Sequence, residues 1–173
     1  DLPDIGYSTD IDTVMASSYQ VKKQLQQIVK IEQPITNTLL YKRILRIWNL
    51  TRVTTRLQVF IDSLLEDAYK DPLSGDTIIY WENKEKAKEC DFYRINSKRD
   101  ILDIPILEVM SAARYAIEQQ ISMPIEDLKR LTSQLLGFSR KGNNLDMVTE
   151  QTIQLLINKG IFSHANGMVA MNN

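Results

Sequence analysis

An internal repeat is the feature that most constrains how this chain can fold. The order helix, Pro-Ile, helix, corner, helix, and strand or hairpin occurs twice along its 173 residues. At one constant offset the copies coincide at four pairs of positions: Leu40 with Leu128, Leu50 with Phe138, Arg52 with Arg140, and Leu57 with Leu145. Pro34 and Pro124 match only after a two-residue slip in the preceding turn. A repeat of this length predicts one small fold used twice.

The first copy carries three amphipathic helical segments. Apolar residues recur with the helical period over 18–32, from Leu40 to Trp48, and from Leu57 to Ala68. The cluster "KDPLSGD" then predicts a turn, and the β-branched and aromatic run "TIIYW" predicts a strand.

The second copy has the same order. One helical face runs from Ile106 to Ile117, and two further helical segments follow "SMPIED". The Asn166-Gly167 pair lies between two short apolar runs, which is a strong hairpin signal. Between the copies, residues 83–104 are dominated by charge and predict a connection with a short strand at "DFYRI".

Three helices followed by a hairpin are the parts of a winged helix-turn-helix. We therefore predict a mainly α-helical protein with small β-hairpins, built from tandem winged helix-turn-helix modules at residues 18–82 and 105–173. A tail or linker over residues 1–17 and the charged connection over residues 83–104 complete the predicted organisation.

The second copy places a basic corner, "GFSRKGNN", between its last two helices. In a helix-turn-helix the second helix enters the major groove, and its first turn meets base edges and phosphates. Arg140 and Lys141 are therefore predicted to contact phosphates, because cations and helix N-termini both attract them. Asn143 or Asn144 is expected to cap the helix.

The outward face of that helix is predicted to carry side chains suited to base contacts. It presents four polar or flexible residues: Asn144, Met147, Gln151 and Gln154. Since Asn and Gln can pair bidentately with adenine, base or groove contacts are predicted from Asn144, from Gln151 and from the hairpin wing around Asn166. Asp146 and Glu150 lie nearby and would repel phosphate.

The first copy has the stronger positive field. Between Ile35 and Arg56 it has no acidic residue and five basic ones: Lys42, Arg43, Arg46, Arg52 and Arg56. Phosphate contacts are predicted from Arg52 and Arg56. The third helix of this copy is less suited to reading bases, because three acids lie in or after it: Asp62, Glu66 and Asp67.

An ordinary corner between two packed helices explains the same basic residues without nucleic acid. The main alternative is therefore a docking module, intramolecular or homodimeric, in which Arg43 and Arg52 pair with acids of a neighbour. Trp48, Tyr80 and Trp81 could stack on bases, but closing a small core is the favoured interpretation.

No catalytic, metal or cofactor site is expected. Cys90 and His164 are the only residues of their kinds, and one His with one distant Cys cannot form a zinc site. Glu126 and Asp127 begin a helix, where acids complement the helix dipole. The chain has no Walker phosphate loop and no dinucleotide fingerprint, so we predict that it is not an enzyme.

Composition narrows the setting of the protein. The net charge of −1 gives no global attraction to nucleic acid. No apolar run approaches the roughly 18 residues of a membrane helix, so no membrane partner is expected, and a single cysteine fits a reducing cytoplasm. The absence of an initiator Met suggests a fragment of a longer protein.

The segment "VKIEQPITNTLLYKRILRIWNLTR" resembles a domain of unknown function found at the C-terminus of very large bacterial helicase-like proteins, which carry a superfamily-one ATPase motor upstream. The family pattern of an acid, Pro-Ile, Leu, Arg and Gly-Leu-x-Arg falls on Glu32, Pro34, Ile35, Leu39 or Leu40, Arg43, Leu50 and Arg52. One departure is Asn49, where the family has Gly; Asn tolerates the left-handed conformation.

The second half is similar to the family's companion segment at "PIEDLKRLTSQLLGFSRKG", with Gly137, Phe138 and Arg140 in place. The resemblance thus spans most of residues 18–165. It implies a non-catalytic accessory region that binds or positions DNA for a helicase-like parent. Its partners would be DNA and the upstream domains of that parent, where any ATPase activity would lie.

Overall fold

The segments with apolar periodicity form helices in the structure, which is a computed structural model. The structure describes residues 10–71, 77–95 and 98–172. Eight α-helices and six short strands lie within those residues. The chain divides into unit 1, Asp1–Glu89, and unit 2, Cys90–Asn173. The prediction of a mainly helical protein with small antiparallel hairpins is confirmed.

Unit 1 combines five helices with a small sheet. Its strands form an antiparallel sheet in the order β1-β3-β2, where Ile35 pairs with Tyr80 and Tyr69 pairs with Trp81. The strand predicted at "TIIYW" is present as β3. In chain order the elements are α1 (Ile11–Ala16), α2 (Ser18–Glu32), β1 (Ile35–Thr36), α3 (Asn37–Ile47), α4 (Thr55–Leu64), β2 (Tyr69–Lys70), β3 (Ile79–Trp81) and α5 (Lys84–Lys88).

The core of unit 1 lies where α2, α3 and α4 pack together and against the sheet. Its fully buried apolar side chains include Val21, Leu25, Leu40, Ile44, Leu57 and Ile61. Trp48, Tyr80 and Trp81 are also buried, which confirms that they close the core. The Trp48 indole N–H donates to Gln24 Oε1 at 2.9 Å, so its polar atom is satisfied inside the protein.

The N-terminal segment contains a helix that the sequence did not predict. Asp10 caps α1 by accepting the Asp12 N–H at 3.1 Å, and Val14 is fully buried in the core. Residues 11–16 of the predicted tail or linker therefore form a helix that packs on the core of unit 1. A six-residue helix is too short to show a sustained apolar period.

A second short helix, α5, lies in the predicted charged connection. Asn83 caps it by accepting the Lys86 N–H at 2.9 Å. Residues 1–9 of the predicted tail and residues 72–76 of the predicted turn lie outside the described part of the chain.

Unit 2 repeats the arrangement with three longer helices. Its antiparallel sheet has the order β4-β6-β5. The predicted hairpin is confirmed: Asn166 and Gly167 connect β5 to β6 with φ of 52° and 75°, the left-handed pair that a two-residue hairpin turn requires. The elements are a 3-10 turn (Ile101–Asp103), α6 (Ile106–Glu118), β4 (Met123–Pro124), α7 (Ile125–Leu135), α8 (Asn143–Asn158), β5 (Phe162–Ala165) and β6 (Met168–Met171).

A buried carboxylate fixes the first residues of unit 2 to α6. Glu108 is fully buried and contacts the guanidinium groups of both Arg94 and Arg99, with Arg99 Nη1 at 2.9 Å. Burial alone would raise the pKa of Glu108, but hydrogen bonds from Arg99 and Arg94 lower it below its ordinary value. The prediction of a strand at residues 91–95 was wrong. The backbone N–H of Arg94 donates to the Glu108 carboxylate and not to a neighbouring strand.

The repeat is preserved in the element boundaries. The segments β1 and β4, α3 and α7, and α4 and α8 each begin 88 residues apart, at residues 35 and 123, 37 and 125, and 55 and 143. Pro34 and Pro124 are therefore not equivalent positions, because the strands, rather than the prolines, correspond at the constant offset. Pro124 corresponds to Thr36, and both residues occupy the cap position before a helix.

Candidate nucleic-acid interface

The corner of unit 2 comprises residues 136–142, between α7 and α8. Gly137 has a φ of 88°, and the Phe138 N–H returns to the Ser133 carbonyl at 3.0 Å, which closes the end of α7. Phe138 then packs on an apolar cluster that includes Leu145. These contacts fix where α7 ends and where α8 begins.

The N-terminus of α8 has no side-chain cap. Gly142 occupies the cap position and offers no side-chain acceptor. The prediction that Asn143 or Asn144 caps the helix was wrong, since both residues lie inside its first turn. The first backbone N–H groups of α8 are therefore left without the side-chain acceptor that usually satisfies them.

Two cations lie next to this uncapped helix end. Arg140 and Lys141 are exposed, and neither has an ion-pair partner within residues 10–71, 77–95 and 98–172. Together with Gly142 and Asn143 they line an open groove of about 600 Å³ between α7 and α8. Such a combination of cations and free N–H groups suits an anionic ligand.

The outward face of α8 is polar and accessible. Asn144, Met147 and Gln151 are exposed. Gln154, also exposed, donates to Asn158 Oδ1 at 3.0 Å on the same helix. At the tip of the β5–β6 hairpin, Asn166 is exposed as well.

Lys129 is the residue of this site that sequence reasoning missed. Its side chain, on α7, is only 9% exposed, yet Nζ lies 2.7 Å from Asp146, 3.0 Å from Glu150 and 3.3 Å from Glu126. The two acids of α8 that were expected to repel phosphate are therefore paired. The signal in the sequence was their spacing of four residues, which places both on one helical face.

The ion pairs also set the protonation of Lys129. Burial alone would lower its pKa, but hydrogen bonds with Asp146, Glu150 and Glu126 outweigh burial and raise the pKa above its ordinary value. Lys129 is therefore a permanent cation between the two helices.

The corner of unit 1 comprises residues 48–54, between α3 and α4. More of its polar groups have partners within the protein than those at the corner of unit 2. Thr54 caps α4 by accepting the Leu57 N–H at 3.2 Å. Arg56 pairs with Asp12 of α1 at 2.6 Å. Arg52 is exposed and lacks an ion-pair partner in the described part of the chain, so it is the cation of this corner that a ligand could use.

Arg43 is not available to a neighbour in the way that the sequence suggested. Its Nε and Nη2 atoms each lie 2.8 Å from a carboxylate oxygen of Glu32, in a bidentate ion pair within unit 1. The acid-free run from residue 35 to residue 56 concealed this contact, because Glu32 lies just before it in the chain. The positive field of unit 1 is correspondingly weaker than predicted.

A hydrogen-bonded contact joins the two corner helices of unit 1. The Tyr41 hydroxyl donates to both carboxylate oxygens of Asp62, at 2.8 and 2.9 Å, and the Tyr80 hydroxyl donates to the same group at 3.1 Å. Burial and the neighbouring Asp62 raise the pKa of both tyrosines. Tyr41 and Asp62 lie 88 residues before Lys129 and Glu150.

Other classes of site find little support in this chain. The described residues contain no group of three or more His, Cys, Asp and Glu side chains arranged to hold a metal ion. His164 is exposed on β5. Among the described helices, none combines the length and the apolar character that crossing a bilayer requires.

A family model matches part of this chain. The model of a family described as "Protein of unknown function (DUF3320)" matches residues 16–59, which include α2, β1, α3 and the first half of α4. No significant match was found among curated proteins or among solved structures. Residues 16–59 are therefore similar to a domain of unknown function.

Proposed function

We propose that both units are winged helix-turn-helix modules and that the chain binds duplex DNA as an accessory region of a helicase-like protein. The order of elements supports this proposal. Each unit has a helix, a short strand, two helices joined by a corner, and two further strands, with the first strand paired to the last. In unit 2, the exposed face of α8 and the tip of the β5–β6 hairpin could then approach a duplex.

The observation that carries the proposal is the corner of unit 2. There, the uncapped N-terminus of α8 adjoins Arg140 and Lys141, which have no ion-pair partner in the described residues. Phosphates would bind these groups, while Asn144 and Gln151 on the exposed face would contact the groove. The hairpin tip at Asn166 would add a further base or groove contact.

Unit 1 would play a secondary role in binding. Arg52 offers a phosphate contact, and Arg56 could add one if it exchanged Asp12 for a phosphate. Because α4 already has a side-chain cap, unit 1 would touch the DNA backbone and leave base contacts to unit 2.

The charge balance of the two units predicts that DNA binding is salt-sensitive and depends on a few residues. Unit 1 has 12 basic and 13 acidic residues, and unit 2 has nine of each. Neither unit has a net positive field, so the affinity must come from local contacts.

Duplex binding measured over a range of salt concentrations tests the proposal. Replacing Arg140 and Lys141 together by Ala should weaken binding and flatten the slope of log K against log salt by about two units. Lys159→Ala removes one exposed charge at the far end of α8 and serves as the control. An unchanged slope in the double variant would refute the proposed interface.

The proposal that this chain is part of a larger helicase-like protein rests on its resemblance to a domain at the C-terminus of such proteins. In that setting the chain is non-catalytic and places DNA relative to a motor that lies elsewhere in the parent. Adding the isolated chain to the motor region should change the fraction of DNA that the motor region binds. The chain by itself should hydrolyse no ATP.

A docking module is the second candidate. It is favoured by exposed apolar side chains on unit 1: Tyr19 is 72% exposed, Ile31 67% and Val59 64%. If docking between copies is the function, sedimentation should show a dimer that Val59→Ser and Ile31→Ser dissociate. The DNA proposal instead predicts that these substitutions leave duplex affinity unchanged.

A further inference from the structure

We infer that Lys129 is a positioning residue for DNA binding, which holds α8 on α7 and keeps the carboxylates of Asp146 and Glu150 from opposing phosphate. This inference rests on the proposed function of unit 2. It assigns a role to a residue that does not itself touch DNA.

Three acidic side chains contact the nearly buried ammonium group of Lys129. Asp146 and Glu150, one turn apart on α8, lie 2.7 and 3.0 Å from Lys129 Nζ, while Glu126 approaches from the first turn of α7. The carboxylates remain partly exposed, at 66% and 46% for Asp146 and Glu150. They would be open to solvent and to DNA if the lysine were removed.

The internal repeat supports a positioning role for this site. The equivalent residues in unit 1, Tyr41 and Asp62, also join the two corner helices. There a neutral hydroxyl faces one carboxylate of the second helix, because Gln58 stands where unit 2 has Asp146. Unit 2 thus has one more acid on α8 and a cation in place of the hydroxyl.

The same groove contains Lys129, Asp146, Arg140 and Lys141. Without Lys129, the α8 carboxylates would either repel an incoming phosphate or pair with the cations of the corner. Both outcomes weaken DNA binding through charge.

The experiment compares four forms of the whole chain in duplex binding: wild type, Lys129→Met, Lys129→Arg, and the triple variant Lys129→Met/Asp146→Asn/Glu150→Gln. Lys129→Met should weaken binding about tenfold at low salt, since the two α8 carboxylates, Asp146 and Glu150, then lose the cation that pairs with them. Lys129→Arg and the triple variant should both bind within about twofold of wild type. Lys159→Met controls for the loss of one positive charge.

Salt provides a readout that a purely structural role would not change. The deficit of Lys129→Met should shrink between about 50 mM and about 200 mM salt, because exposed carboxylates are screened. A deficit that is the same at both salt concentrations and is not rescued in the triple variant would overturn the inference.

The remaining outcomes separate this inference from the proposed function. If wild type binds duplex DNA and Lys129→Met binds equally well, the inference fails and the proposed function stands. If wild type does not bind, both fail. Should Lys129→Met not fold, weak binding by both Lys129→Arg and the triple variant would overturn the inference.

Discussion

Asn49 and Gly137 lie 88 residues apart and turn the chain in the same way, with φ of 50° and 88°. After each, the next backbone N–H returns to a carbonyl five residues earlier: Leu50 to Leu45 at 2.9 Å and Phe138 to Ser133 at 3.0 Å. Two different residue types therefore produce one corner, because Asn and Gly are the residues that best tolerate the left-handed conformation.

The conformation of Gly137 makes it sensitive to substitution. Gly137→Ala should lower the free energy of unfolding by about 1 kcal/mol, because a side chain disfavours positive φ. Gly142→Ala is the control: its φ of −164° is extended, and a Cβ there would meet no atom within 4 Å. Urea denaturation of both variants checks the prediction, and equal stabilities would contradict it.

The repeat and its corners could be predicted from sequence because they depend on local patterns. The apolar period located the three helices of each copy, and the Asn166-Gly167 pair located the hairpin. The strands β1 and β4 were missed because two residues cannot show an alternating pattern. The same limit applies to α1, which is six residues long.

The charge pairing of the candidate site could not be predicted in the same way. Glu32 pairs with Arg43, and Asp146 pairs with Lys129, only because tertiary packing brings separate helices together. Counting charges along the chain suggested a strong positive field in unit 1 and a repulsive α8 in unit 2. The ion pair of Arg43 with Glu32 weakens the positive field of unit 1, and the ion pairs of Lys129 weaken the repulsion from α8.

Glu108 is predicted to be a major determinant of the stability of unit 2. Glu108→Gln should destabilise the protein by about 3 kcal/mol, because it removes the buried negative charge that the guanidinium groups of Arg94 and Arg99 both contact. Glu118→Gln, at the exposed end of the same helix, should change stability little. Thermal unfolding of the two variants compares them, and similar losses would contradict the assignment.

The lowered pKa of Glu108 also predicts how stability depends on pH. Because the folded-state pKa lies below the unfolded value, its contribution is present above the ordinary glutamate range and is lost as the pH falls through the folded value. The stability of wild type should therefore decline more steeply in acid than that of Glu108→Gln. Parallel curves from denaturation at a series of pH values would show that Glu108 is not responsible.

Asp62 of α4 is predicted to tie this helix to α3 through the Tyr41 hydroxyl and to β3 through the Tyr80 hydroxyl. Tyr41→Phe and Tyr80→Phe should each cost about 1 kcal/mol of unfolding free energy, the usual net value of a hydrogen bond. Their effects should not add, since both donors share one carboxylate. Tyr19→Phe, at a side chain that is 72% exposed, is the matched control, and a double-mutant cycle measures the coupling.

An NMR titration of the isotopically labelled chain with a short duplex tests the proposed DNA interface. The largest amide shifts are expected at the corner of unit 2 and the first turns of α8, residues 139–151, with a second set at the hairpin tip around Asn166. Shifts confined to the exposed apolar residues Tyr19, Ile31 and Val59, or no shifts at all, would rule out the proposed interface.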